Sequence, residues 1–111
     1  VPTVAKATKN IETAMANPSN LNANVYFAAA SYYHSEGMNM GKAKEWIDKA
    51  VSMGDGSTYW MTRVQYLIYA KLGDKKGAIE AAKKSLVAAQ SAGNQDYVKM
   101  NKDSLKEWET E

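Results

Sequence analysis

Glycines recur in this chain at helix-length intervals, and that spacing leaves few architectures open. Apolar periodicity stops at Gly37, Gly54, Gly73 and Gly93, and an Asn, Asp or Ser follows each stop within a few residues. That is the order of signals where one helix ends and the next is capped. The intervals predict six helices, over residues 3–16, 24–36, 40–53, 58–72, 75–92 and 95–109, with Pro18, Asp55, Ser57, Asp74 and Asn94 marking turns or starts. No stretch of four or more residues alternates strictly with Val, Ile and Thr, and alanine, the best helix former, is frequent throughout. The fold class expected is all-α, with short connections and no strands.

The intervals also repeat. "HSEGMNMGKAKEWIDKAV" at 34–51 aligns with "AKLGDKKGAIEAAKKSLV" at 70–87 when one residue is inserted after Gly37. Gly37 then pairs with Gly73, Ala43 with Ala78, Ile47 with Ala82 and Ala50 with Ser85, a period of about 35 residues that lies in the range of helical-hairpin arrays. The small side chains at 43, 50, 78 and 85 would let the second helix of each hairpin approach the first closely. On the first helices, Tyr26, Ala29, Ala30 and Tyr33 recur at helical spacing, as do Trp60, Val64 and Leu67 with Ile68 and Leu72 on an adjoining row. Both stripes are predicted to be core.

Composition bounds the rest. A chain of 111 residues with an apolar share of 45% makes one domain with one core. Fourteen basic against twelve acidic residues leave +2, too little for the concentrated basic face that nucleic acid or an anionic membrane requires. The absence of cysteine removes disulfides, thiolate metal sites and thiol catalysis, and fits a reducing or an oxidising compartment alike. No apolar run approaches the roughly 20 residues that span a bilayer, and a start at Val1 without a leader reads as a soluble fragment or a mature product.

The two hairpins resemble tetratricopeptide repeats, a family of stacked antiparallel helical hairpins. Tyr26, Ala30, Tyr33, Gly37, Ala43 and Ala50 fit that pattern in the first copy, and Tyr69, Gly73, Ala78 and the small Ser85 fit it in the second. The chain departs from it at Asp55 and Gln90, where the closing prolines would stand, at Tyr66, bulky where a small residue is usual, and at Ile47 and Ala82, which replace an aromatic. More narrowly, "NANVYFAAASYY", "KAKEWIDKAVSMG" and the long ending from Ala70 to Trp108 are similar to the C-terminal helical region of an uncharacterised bacterial family. That family joins a β-rich domain of unknown function to such helices and commonly carries an export signal. The resemblance implies one domain over 1–111: a cap helix at 1–17, repeats at 23–54 and 59–92, and a solvating helix at 94–111, stacked as a short right-handed array. It also implies an exported or periplasmic location, and it assigns no reaction.

The outer helices suit those roles. The first carries Val4, Ala5, Ala7, Ile11, Ala14 and Met15 without the spacing of the repeats. The last starts at an Asn94 cap and places Tyr97, Val98, Leu105 and Trp108 on one broad face, with charged residues elsewhere.

In repeats of this kind the first helices line a concave groove. Carried over residue by residue, the groove positions are Phe27, Ser31 and His34, then Trp60, Arg63, Leu67 and Lys71. Such a set would accept a protein or peptide segment, with rings as anchors and cations fixing a carboxylate or carbonyl. Large apolar residues on helices are mostly buried, so Trp60 and Leu67 are read as core first and as contacts second, while Phe27 stands between the two. Some tetratricopeptide domains clamp C-terminal carboxylates with Lys and Asn on the first helix. Phe27 and Ser31 stand there instead, and no third complete repeat exists, so that clamp is not expected.

No catalytic, cofactor or metal site is expected. His34 is the only histidine and has no ligand set at suitable spacing, so it reads as a polar groove or turn residue. "GDGS" at 54–57 resembles a calcium loop only loosely, lacking its alternating acids and terminal Glu, and reads as a helix stop and restart. Lys75, Lys76, Lys83 and Lys84 interleave with Asp74 and Glu80 as on a solvated face, with an acidic partner as the other reading. No nucleophile elbow, phosphate-binding glycine loop or HExxH appears. Two roles follow as expectations: a non-catalytic protein- or peptide-binding scaffold, or a structural appendage that packs against another domain of the same longer protein.

Overall fold

The computed structural model describes residues 3–17, 19, 21–54 and 58–109, with side chains from residue 9 onward. Six helices follow in order: α1 Thr3–Met15, α2 Ala23–Glu36, α3 Met40–Ser52, α4 Tyr59–Lys71, α5 Lys75–Ala92 and α6 Gln95–Glu109. Each end lies within a residue of the position expected from the glycine and cap signals, and no strand occurs among the described residues. The expected turn markers Pro18, Asp55 and Ser57, most of the 54–57 segment, and the side chains of Val4, Ala5 and Ala7 lie outside the described residues.

Local chemistry explains both the hairpin turns and the one-residue insertion. Gly37 ends α2 and Gly73 ends α4 in the left-handed region, at φ 66° and 84°. A side chain there would be strained, and the turn lets the amides of Gly37 and Met38 reach His34 O and Tyr33 O. In the second turn Asp74 follows Gly73 directly and caps α5, its Oδ1 accepting from the Gly77 amide at 2.9 Å. In the first, Met38 intervenes before the cap Asn39, whose Oδ1 accepts from the Lys42 amide at 3.3 Å. Asn39 itself adopts φ 42°, a conformation asparagine tolerates better than most residues. The inserted residue is thus a spacer between stop and cap.

The helices pack mainly as consecutive neighbours, α2 on α3, α3 on α4, α4 on α5 and α5 on α6. In addition α2 touches α4 and α4 touches α6, so these three form one row, while α1 rests lightly on α2. Two apolar clusters result. The first gathers Ala29, Ala30, Tyr33, Ala43, Trp46, Ile47, Ala50, Met61 and Ile68, with Tyr33 and Trp46 rings 5.0 Å apart and Ile11 and Met15 of α1 packed against it. The second gathers Tyr66, Ala78, Ala81, Ala82 and Leu105, with Trp108 edge-on to Tyr66 at 5.4 Å.

The repeat is not a copy in volume. The first hairpin has Ala30 on its first helix and Ile47 on its second; the second hairpin has Tyr66 and Ala82 at the matching places, and all four are fully buried. Large and small have changed sides between the hairpins, which fills both interiors. This accounts for the bulky Tyr66 and the missing aromatic at 82.

One core stripe needs correction. Trp60 and Leu72, expected inside, are exposed at 38% and 44%. Helix α4 lies between α3 and α5 and touches α2 and α6, so it buries several faces: Met61 and Ile68 enter the first cluster and Tyr66 the second. A single stripe cannot describe a helix enclosed in this way.

Candidate functional site

The groove positions divide between two sides of α4. Phe27 is half-buried and packs on the first cluster, while Leu67 is half-buried against the second. His34 and Lys71 occupy the last turns of α2 and α4 and are close enough to interact. Partial burial, followed by the Lys71 ammonium, lowers the His34 pKa below its ordinary value. The charged form of the imidazole is therefore disfavoured beside that cation. Ser31 lies one turn before His34, and its buried Oγ has no hydrogen-bond partner.

Trp60 and Arg63 contact rings of their own helix, Tyr59 and Tyr66, which in turn reach α6. The Trp60 ring meets Tyr59 edge-on at 5.0 Å, and Tyr59 in turn meets Tyr97 of α6 at 4.8 Å. Tyr59 Oη also accepts from Asn94 Nδ2 at 3.1 Å, tying the start of α4 to the α5–α6 turn, and Asn94 Oδ1 accepts from the Tyr97 amide as a cap should. The half-buried Arg63 places its guanidinium carbon 5.4 Å from the Tyr66 ring centre and donates from Nη1 to Tyr66 Oη.

From Tyr66 a buried polar chain runs through three helices. Tyr66 Oη donates to Asn101 Oδ1 at 2.7 Å, Asn101 Nδ2 donates to Ser85 Oγ at 2.8 Å, and Ser85 Oγ donates to the Tyr59 carbonyl at 2.8 Å. Tyr66, Ser85 and Asn101 are all fully buried. Asn101 was missed by the sequence reading, although it fills the gap in the stripe Val98, Leu105 and Trp108 at spacings of three and four.

A second polar contact joins the hairpins. Asp48 of α3 accepts from Tyr69 Oη at 2.6 Å and from Gln65 Nε2 at 3.0 Å, both on α4, and Lys44 Nζ lies 5.4 Å from the Tyr69 ring centre. Burial and the adjoining Asp48 carboxylate push the Tyr69 phenol pKa well above its ordinary value, so it stays protonated as a donor.

Elsewhere, Lys75, Lys76, Lys83 and Lys84 are exposed. An open hollow is lined, among the described residues, by Ala70, Gly73, Lys75 and Trp108. Among the described residues no three His, Asp or Glu side chains group as metal ligands, and no described helix is long and apolar enough to cross a membrane. Compared with known proteins, the chain matches no family model, no curated protein and no solved structure.

Proposed function

We propose that this protein is a non-catalytic, tetratricopeptide-like scaffold that takes a protein or peptide segment across the row formed by α2, α4 and α6. One observation carries the reading: three large rings stand partly open along that row, Phe27 on α2, Trp60 on α4 and Tyr97 on α6. Partly open rings beside polar groups are what binding surfaces use as anchors, and His34, Arg63 and Lys71 supply the polar groups here. The row extends the groove residues inferred from the sequence by one helix, with α6 serving as a third wall.

A second reading has its own support. Met53 at the end of α3 and Val87 on α5 are 52% and 61% exposed and belong to helices outside the row. Exposed apolar residues on the other layer would suit an appendage that docks on a further domain of a longer chain. Amide chemical-shift mapping separates the two. Titration with a random peptide pool should move signals on α2, α4 and α6, including the Trp60 indole. Shifts confined to α1, α3 and α5, produced by an adjoining domain and by no peptide, would refute the scaffold reading and establish the appendage.

A further inference from the structure

The polar chain under Arg63 has a fixed direction. Arginine only donates, so Tyr66 Oη must accept from it and must send its own proton to Asn101 Oδ1. The far end is a backbone carbonyl, which only accepts, so Ser85 must donate to Tyr59 and accept from Asn101 Nδ2. With both ends set, the amide orientation of Asn101 and both hydroxyl protons have one arrangement. The Tyr66 oxygen, which the Ser104 side chain of α6 also approaches, is therefore held against Arg63 by contacts on α4, α5 and α6.

Among the described residues the guanidinium so held has no counter-charge. Lys42–Glu45 and Lys99–Asp103 are ion pairs on exposed lysines, and no described carboxylate pairs with Arg63. A half-buried cation without a described counter-ion is costly, and a planar fork, of which one donor is held by Tyr66, matches a carboxylate with two parallel hydrogen bonds. We infer that Arg63 is a carboxylate-receiving position, aimed by the chain Tyr66, Asn101 and Ser85, so that α6 takes part in recognition as a positioning element. This rests on the recognition row proposed above and names the chemistry of its partner: a segment bearing an acidic group. Tyr66, Asn101 and Ser85 are positioning residues; Arg63 alone would touch the ligand.

The test is side-chain NMR of the full chain, with sodium acetate as the probe and sodium chloride holding ionic strength constant. Acetate should shift the Arg63 Nε–H and Nη signals saturably, and the shift should vanish in Arg63→Gln. Tyr66→Phe removes one oxygen and keeps the ring; it should weaken acetate binding about fivefold, the equivalent of one hydrogen bond. Ser85→Ala acts two steps away and should weaken it less, by about twofold. Equal shifts from chloride, or unchanged acetate binding in a folded Tyr66→Phe, would overturn the inference. Should that variant not fold, the wild type still decides: Arg63 must show separate Nη1 and Nη2 signals in the cold, and one averaged signal refutes a held guanidinium. Two peptides then identify the source of the carboxylate, one with an internal Glu and an amidated end, the other with Ala in its place and a free C-terminus. Peptides that move α2 and α4 without any need for a carboxylate, while acetate leaves Arg63 unmoved, would sink this inference and spare the recognition row. Acetate saturating Arg63 with no peptide bound would do the reverse.

Discussion

Replacing Asp48 by alanine tests whether the seam between α3 and α4 is what couples the two hairpins. The carboxylate accepts from Tyr69 Oη at 2.6 Å and from Gln65 Nε2 at 3.0 Å, and all three residues are half-buried. Fully buried, hydrogen bonds to a charged group contribute about 1.5–3 kcal/mol each. Here the donors regain water once the carboxylate is gone, so each loss falls toward the ordinary net value of about 1 kcal/mol. Asp48→Ala should therefore destabilise by about 2 kcal/mol, and a double-mutant cycle with Tyr69→Phe should isolate about 1 kcal/mol of coupling. For a domain of 111 residues the midpoint should fall by about 9 °C. Tryptophan placement supplies the assay, since Trp46 belongs to the first cluster and Trp108 packs on the second. With the other tryptophans changed to phenylalanine, each probe follows one hairpin during urea unfolding. The probes should share a midpoint in the parent and separate in Asp48→Ala, because arrays of hairpins are held together by nearest-neighbour interfaces. A coupling below about 0.3 kcal/mol, or probes that stay coincident at an unmoved midpoint, would refute the argument.

Gly77→Ala should destabilise the protein by about 1–2 kcal/mol despite the better helix propensity of alanine, because the overpacking cost is larger. The new Cβ would stand 2.6 Å from Tyr69 Cδ2 and 2.6 Å from Asp74 Oδ2, and Tyr69 is pinned by Asp48; a higher melting temperature would contradict this. Stability should fall above about pH 10, where unfolded tyrosines ionise. Burial raises the pKa of Tyr66 and Tyr69, so the folded state keeps protons that the unfolded state releases. Tyr69→Phe should reduce the slope of unfolding free energy against pH in that range by up to about 1.4 kcal/mol per unit, and urea titrations showing an unchanged slope would exclude the assignment. Tyr66→Ala alone should cost about 3–5 kcal/mol and Ala82→Ile alone about 1–3 kcal/mol. The pair should cost less than the sum by at least about 1 kcal/mol, and strict additivity would show that the two positions do not share one volume.

Helix ends were legible in the sequence because their determinants are local. A glycine that must turn left-handed and an Asn or Asp that must receive an amide act within four residues of each other, as Gly37 with Asn39 and Gly73 with Asp74 show. What could not be read was set by neighbours distant in sequence. The stripe through Trp60, Leu67 and Leu72 assumed one buried face on α4, whereas the helix is enclosed on several sides and turns Trp60 outward. Asn101 was hidden by its residue type, because a polar side chain at a core position identifies itself only once its partners Tyr66 and Ser85 are known. For the same reason the groove set could not be divided in advance. His34 comes near Lys71 because α2 packs on α4, whereas Arg63 and Tyr66, one turn apart on α4, depend on α6 through Asn101.

The departures from the repeat pattern at positions 66 and 82 are one change rather than two. Half of the buried apolar residues described are alanine, so the helices approach closely but their interiors offer little shape to fix one register over another. In the first hairpin Ile47 and the Tyr33–Trp46 ring pair supply that shape. In the second, Ala82 leaves the volume that Tyr66 occupies, and the hydroxyl reaches a buried asparagine on the next helix. A one-residue slip of α6 would rotate Asn101 off both partners and strand buried polar atoms, at about 1–3 kcal/mol for each. The exchange of a small residue for tyrosine thus gives α6 a single register, which an alanine-lined pocket could not enforce by packing alone. The same hydroxyl holds Arg63. Register of the last helix and aim of the half-buried cation therefore depend on one oxygen atom, and any change at Tyr66 should disturb both together.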